Sequence, residues 1–154
     1  MATLAAVLRH KKQELLKMYE RLGEDADHWN KAVRELYRQI QDWLAPLTQD
    51  GLLSFEQHAT DYEIPLIGVR YNESLTIKFF NHQTIEFKEG GLRVGGVFGR
   101  IEMKFGLRHV RLILPEKQGQ WRFIERRYNR SEVEEYEFNR ENFEKIIISY
   151  VENF

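Results

Sequence analysis

The chain has 154 residues, of which 42% are hydrophobic and 31% are charged, and its formal net charge is −1. This composition is typical of a folded protein with a soluble surface and argues against disorder. The sequence contains no cysteine, which excludes disulfides, thiol catalysis and thiolate metal sites.

The N-terminal segment argues against export and membrane insertion. Its positive charges follow a short apolar run, which is the reverse of a secretory signal. No stretch reaches the roughly 18 apolar residues needed to cross a bilayer. We therefore expect a cytoplasmic protein without a membrane partner, in which residues 1–154 form a single domain.

The first third of the chain is predicted to be helical. Gly23 is expected to end a first helix over residues 2–22, and acidic residues then cap a second helix over residues 26–45, which Pro46 ends. The two helices would form an antiparallel helical hairpin over residues 2–47. The first helix has apolar residues at helical spacing, namely Leu4, Leu8, Leu15, Met18 and Leu22.

The second predicted helix carries a more regular apolar stripe, with alternating spacings of four and three residues between Trp29 and Leu47. The stripe is shorter than three heptads and contains two tryptophans, which favours packing against the sheet over a coiled coil. The alternative is a homodimer whose self-association uses the stripe residues Trp29, Val33, Leu36, Ile40 and Trp43.

From residue 52 onwards the hydrophobic pattern has a period of two, which indicates β-strands. Short connections predict antiparallel neighbours, and no helix-length crossover separates the strands. The candidate strands are residues 52–60, 66–72, 75–80, 84–89, 92–105, 109–115, 120–127 and 132–138.

Six of the ten glycines lie in residues 90–106. Their spacing matches neither a dinucleotide fingerprint nor a P-loop, so we reject a phosphate-binding loop. We expect a bend in the sheet instead, with a positive φ or a bulge at one or more of Gly95, Gly96 and Gly99. Around this bend, one buried face is predicted to contain Val97, Ile101, Met103, Phe105, Val110, Leu112, Leu114, Trp121 and Phe123.

The chain is predicted to close with a helix over residues 140–152, for which Asn139 is a suitable N-cap. The predicted fold class is therefore α+β. It comprises the N-terminal helical hairpin, a strongly bent antiparallel β meander of about seven or eight strands over residues 52–138, and the C-terminal helix.

Charge is segregated along the sequence. Residues 90–130 contain ten basic and three acidic residues, whereas residues 131–154 carry a net charge of −5. Alternation places most of the basic residues on the polar face of the sheet, where they suit phosphate or carboxylate groups. The predicted binding residues are Arg93, Phe98, Arg100, Lys104, Arg111, Arg122 and Arg126.

The alternative is that these bases are paired within the chain. Glu86, Glu102 and the acidic segment 132–137 would be their partners across neighbouring strands. The sequence pI of about 6.5 is lower than that of a dedicated nucleic-acid binder. We therefore rank an acidic protein partner above a nucleic acid or another polyanion.

Catalytic signatures are absent from the sequence. No serine lies in a nucleophile-elbow or S-x-x-K context. The tightest histidine cluster is His58, Asp61 and Glu63, but alternation places His58 on the opposite side of the strand from the two carboxylates. We therefore expect no metal site and no cofactor.

The sequence thus predicts a small non-enzymatic binding protein that acts through protein–protein contacts, such as an adaptor, an inhibitor or an immunity protein. The first alternative is binding of nucleic acid or another polyanion through the basic sheet face. The second is an enzyme whose carboxylate and histidine residues are dispersed along the sequence.

Overall fold

The computed structural model describes residues 3–126 and 133–154, and these residues form two helices and seven strands. This arrangement confirms the α+β class. In chain order the elements are α1 (Leu4–Gln49), β1 (Leu53–Ile64), β2 (Gly68–Phe79), β3 (Thr84–Leu92), β4 (Gly99–Phe105), β5 (Arg108–Leu114), β6 (Arg122–Arg126), β7 (Val133–Glu137) and α2 (Arg140–Val151).

The strands form one antiparallel sheet in the order β1-β2-β3-β4-β5-β6-β7, so the predicted meander is confirmed. Residues 66–72 and 75–80 are not separate strands, because Asn72 pairs with Thr60 and Ser74 with His58 within one continuous β1–β2 ladder. Parts of three predictions lie outside the described residues. They are residue 2 of the first helix, residues 127 and 132 of the last two strands, and residue 130 of the basic block.

The glycine-rich segment forms a turn between two strands. The predicted strand 92–105 is wrong in this respect, because β3 ends at Leu92 and β4 begins at Gly99. Gly95 and Gly96 have φ angles of 64° and 80°, which confirms the expected positive φ. Only glycine adopts this left-handed backbone readily, so the two residues allow the chain to reverse between the strands.

The predicted helical hairpin is wrong, because α1 is one helix of 46 residues that continues through Gly23. The reason lies in the β1–β2 hairpin, whose tip crosses the helix at this point. A Cβ atom on Gly23 would lie 3.1 Å from Cγ2 of Ile67. Glycine therefore serves close packing between helix and hairpin here, and it does not end the helix.

Two other residues that were expected to mark helix boundaries also lie within α1. Asp27 does not cap a second helix, because α1 continues through it, and its Oδ1 instead lies 2.6 Å from Nε of Arg70 in an ion pair. Pro46 lies in the last turn, and its carbonyl accepts the N–H of Asp50 at 3.2 Å. Proline removes one donor near a helix end without preventing the final turn.

The core lies between one face of the sheet and the two helices. Tyr37 of α1 and Phe143 of α2 both contact Phe87 of β3, with ring centroids 6.3 and 6.5 Å apart. Helix α2 begins after Asn139, whose side chain accepts the N–H of Asn142, as expected of an N-cap. Of the predicted buried face, Val97 and Trp121 are half-buried; the fully buried members are Ile101, Met103, Phe105, Val110, Leu112, Leu114 and Phe123.

Neither helix in the described part of the chain is long and apolar enough to cross a membrane.

Candidate functional site: the open face of the sheet

The sheet face opposite the two helices carries most of the predicted binding residues. Residues paired directly across antiparallel strands have side chains on the same face. Glu102 pairs with Arg111, which pairs with Ile124. We define the open face as Glu86, Arg100, Glu102, Lys104, His109, Arg111, Ile113, Arg122, Ile124, Arg126 and Glu135. Five of the seven predicted binding residues belong to it.

Glu102 lies at the centre of the open face and binds bases from two strands. It is 3.2 Å from Arg100 Nε and 3.3 Å from Arg111 Nε, and it also contacts His109 Nε2. At the neighbouring strand, Arg122 Nε is 2.7 Å from Glu135 Oε1. Three of the five predicted bases on this face are therefore paired within the chain.

The other two bases, Lys104 and Arg126, are solvent-exposed and form no ion pair within residues 3–126 and 133–154. His109 lies between them. It is directly across from Lys104 on β4, and because Val110 is across from Glu125, Arg126 lies on the other side of His109. A depression of about 320 Å³ lies at this row and is lined by His109, Arg111, Ile124, Arg126 and Val133.

The paired bases also cover apolar surface. Ile113 is only 7% exposed, although neither helix of the described residues lies over this face. Its direct neighbours are Arg100 and Arg122, whose aliphatic stems can shield an apolar side chain while their charged ends stay in water. The centre of the open face is consequently a well-packed charged layer, and its unpaired cations lie along one side.

The predicted placement of Phe98 is wrong. Its side chain is 2% exposed and lies on the helix side, with its ring 6.2 Å from Trp29 and 5.7 Å from His28 in edge-to-face contacts. Alternation with Arg100 does not extend to residue 98, because β4 begins only at Gly99. Phe98 is therefore a core residue and is not available to a partner.

Arg93 also lies away from the open face. It is in the glycine-rich turn with a φ of 57°, and its guanidinium lies 5.0 Å from the centroid of the Phe98 ring. Its Nη2 donates to Asp25 Oδ2 at 3.0 Å, and Lys117 Nζ is 3.1 Å from the other oxygen of the same carboxylate. Asp25 thus attaches two connecting segments of the sheet to α1.

We expect Asp25→Asn to reduce the acid sensitivity of the fold. Burial alone would raise the pKa of Asp25, but hydrogen bonds and charges from Lys117 and Arg93 outweigh it and lower the pKa. Because the folded-state pKa lies below the unfolded one, this carboxylate stabilises the fold at neutral pH and loses that effect as the pH falls through and below the ordinary aspartate range.

The measurement is thermal unfolding at neutral and at acidic pH. The variant should lose about 1 kcal/mol at neutral pH, as expected of partly exposed ion pairs. Its deficit should shrink in acid, where Asp25 of the parent is itself protonated. An equal deficit at both pH values would contradict a role for the carboxylate charge.

The predicted self-association residues form the interface with the sheet. Val33 and Ile40 are fully buried, and Trp29 and Leu36 nearly so. Trp43 is half-buried against Phe138 and Phe143. This part of the stripe packs within the chain, so a surface for self-association would have to lie elsewhere.

Glu89 is a half-buried carboxylate where β3 separates from β2. The β2–β3 ladder runs only from Leu75 to Lys78 on β2, so Glu73 N–H has no carbonyl opposite it. One Glu89 oxygen accepts this N–H, and the other accepts Trp29 Nε1 at 2.6 Å. Burial raises the pKa of Glu89, although both hydrogen bonds act to lower it. Both oxygens are engaged, which suits a structural link between helix and sheet.

Sequence analysis did not identify the Arg108–Glu125 pair. Arg108 donates to both Glu125 oxygens, from Nε at 2.6 Å and from Nη2 at 2.9 Å, and it also contacts Ser149 of α2. Tyr136 donates to Glu125 at 3.3 Å, and burial raises the pKa of Tyr136 to about 12. The sequence signal for this pair was weak. Alternation places Glu125 on the same face as the apolar residue Phe123, but the strand has only five residues, so the pattern is short.

Within the described ranges, no three histidine or acidic side chains are grouped closely enough to hold a metal ion. His58 and Glu56, 3.9 Å apart, are both well exposed on the β1–β2 hairpin.

Comparison of the chain with protein-family models, curated proteins and solved structures found no match.

Proposed function

We propose that the chain is a small binding protein of the adaptor, inhibitor or immunity type, which acts through protein–protein contacts rather than catalysis. Its open face would receive an acidic surface of a protein partner. The observation that carries this proposal is the row formed by Lys104, His109 and Arg126, in which both exposed cations lack an ion pair among the described residues.

The charge pattern supports a protein partner over a polyanion. Glu86 lies directly across from Lys104, and Glu102 and Glu135 lie among the remaining bases. A phosphate backbone presents negative charge at every step, so it would meet these carboxylates at short range. A protein surface can match both signs at once, and such complementarity favours the correct partner over others.

The alternative is a nucleic acid or another polyanion. It is favoured by the depression beside His109, Arg111 and Arg126, where three basic side chains surround the exposed part of Ile124. Arginine binds phosphate through two parallel hydrogen bonds. On this alternative, Arg111 would exchange its contact with Glu102 for a contact with the ligand.

The test uses a face variant, Lys104→Glu with Arg126→Glu, and a control with the same charge change, Lys31→Glu with Lys145→Glu. The control residues are exposed on α1 and α2. Each protein is titrated against generic single- and double-stranded DNA and RNA at low and moderate salt. In parallel, each is cross-linked in nuclease-treated cell extract, and captured proteins are identified by mass spectrometry.

We expect no nucleic-acid binding, together with capture of an acidic protein that the control retains and the face variant loses. The outcome that favours the polyanion is tight binding that weakens steeply with salt and disappears in the face variant, because each phosphate contact adds nearly one unit to the logarithmic salt slope. Equal capture by all three proteins would contradict the open face as the contact surface.

A further inference from the structure

The apolar stripe of α1 continues beyond the sheet. From Ala26 to Leu44 the stripe is buried against the sheet. Successive members at Leu15, Met18, Leu22 and Ala26 maintain spacings of three and four residues, so the stripe stays on the same side of the helix across Gly23. In residues 4–22, however, Leu16 and Tyr19 are half-buried, and the other large apolar side chains are exposed: Leu4, Val7, Leu8, Leu15, Met18 and Leu22.

The exposed segment is too long and too apolar to be an incidental helix end. Nineteen residues correspond to about 28 Å of helix at 1.5 Å per residue. Leu4 is 74% exposed, Leu8 58% and Met18 52%. A helix in water gains most of its stability by packing an apolar face. Residues 4–22, which we call the projecting segment, present such a face without a partner from the described chain.

The direction of the exposed stripe restricts what can cover it. In residues 4–22 the stripe lies on the side of α1 that the sheet covers from Gly23 onwards. A second helix packed there, at the usual 8–10 Å between axes, would occupy the layer that the sheet occupies beyond Gly23. A partner helix that lies along the stripe must therefore end or turn away where the sheet begins.

A second copy meets this restriction in one orientation. If two helices paired in parallel with their stripes facing, both sheets would need the same space between them. In antiparallel pairing the two sheets lie at opposite ends. The overlap is then residues 4–22 of each copy, and Leu22 lies opposite Leu4 of the partner subunit.

The charges of the projecting segment support the same orientation. Its first half, residues 4–12, carries the three bases Arg9, Lys11 and Lys12 and no acid, whereas residues 13–22 carry two acidic and two basic side chains. Parallel pairing would place each base against its own copy, and Lys11 lies on the stripe itself. Antiparallel pairing removes this contact between like charges, because it places the basic half of one segment against a half of the other that has no net charge. A twofold axis makes the contact self-complementary.

We propose that the projecting segments of two copies pair side by side as an antiparallel helical dimer through the exposed half of the α1 stripe. This surface is separate from the open face of the sheet, and the proposal does not depend on the identity of any partner bound there. It also differs from self-association through residues 29–43, which are occupied by the sheet.

The first test measures the mass of the full chain by light scattering after gel filtration at several concentrations. We expect twice the chain mass of 18.5 kDa for the parent and for the control Gln13→Glu, which alters the opposite side of the helix. Leu15→Glu should elute as a monomer with unchanged thermal unfolding of the sheet. A monomeric parent at high micromolar concentration, or a Leu15→Glu variant that stays dimeric, would overturn the proposal.

The second test determines the orientation. The chain has no cysteine, so Leu4→Cys and Leu22→Cys variants each introduce one thiol. When the two variants are mixed and oxidised, antiparallel pairing should produce mainly the mixed disulfide between them. Disulfides formed mainly between two copies of the same variant would overturn the antiparallel arrangement. Flotation with anionic lipid vesicles tests whether a membrane surface covers the stripe instead. If the parent is monomeric and binds vesicles, and Leu15→Glu abolishes that binding, a membrane surface and not a second copy is the partner of the projecting segment.

Discussion

Replacement of Arg108 by methionine is expected to lower the free energy of unfolding by about 3–5 kcal/mol, because it leaves a buried carboxylate without its charged partner. Glu125 is 7% exposed and receives two hydrogen bonds from the guanidinium of Arg108. Methionine keeps an apolar stem of similar length and removes the guanidinium, which also lies 5.3 Å from the centroid of the Phe105 ring. Chemical denaturation monitored by tryptophan fluorescence measures the effect.

The double variant Arg108→Met with Glu125→Leu distinguishes the pair from simple packing. Replacing both partners of a buried ion pair by apolar residues is often nearly neutral, so the double variant should recover most of the stability lost in the single variant. Glu86→Gln, a change on the open face, is the control and should alter stability by less than about 0.5 kcal/mol. A double variant that is as unstable as the sum of its parts would show that the two residues are not coupled.

Substitution of Gly99 by alanine is expected to destabilise the fold by about 3 kcal/mol, at the upper end of the range for overpacking a core. The added Cβ would lie 2.6 Å from Cε3 and 2.7 Å from Cη2 of Trp29. The indole cannot move aside easily, because its Nε1 binds Glu89 and its ring contacts Phe98 and Trp121. Thermal and denaturant unfolding should both show the loss.

Gly23→Ala is the matched control for this substitution. Here the added Cβ would lie 3.1 Å from Cγ2 of Ile67, a half-buried side chain at the tip of the β1–β2 hairpin, and 3.6 Å from Nη2 of Arg70. Alanine is favoured over glycine inside a helix by up to about 1 kcal/mol. This preference offsets part of the close contact with Ile67, so we expect a much smaller loss than for Gly99→Ala. Equal destabilisation by the two substitutions would contradict the view that Gly99 is required by its contact with Trp29.

The sheet was largely predictable because its signals are local. Alternation from Ile101 to Phe105 and from Val110 to Leu114 assigns each side chain to a face without knowledge of the rest of the chain. The continuity of α1 was not predictable from Gly23 alone. The reason for that glycine is Ile67, 44 positions further along the sequence, and a close contact at such separation leaves no periodic trace.

The candidate site was predictable to a similar degree. Alternation placed Arg100, Lys104 and Arg111 on one face, as the strand register shows. Their state of pairing depends on Glu102 and on the side chains across neighbouring strands, which a pattern along one strand cannot specify. The continuous stripe of α1 was visible in the sequence, since Leu22 and Ala26 maintain the spacing across Gly23, but treating glycine as a stop divided it into two helices.

The strictly sequential order of the seven strands means that each pairing closes only a short loop of chain. The entropy lost on closing a loop rises with the logarithm of its length, so neighbouring hairpins incur small losses as the sheet grows. The long closures are those between the two helices and distant strands, as in the contacts of Trp29 with Glu89 and of Phe143 with Phe87. Most of the chain entropy given up beyond local pairing is therefore concentrated in attaching the two helices to a sheet that is otherwise assembled from neighbours.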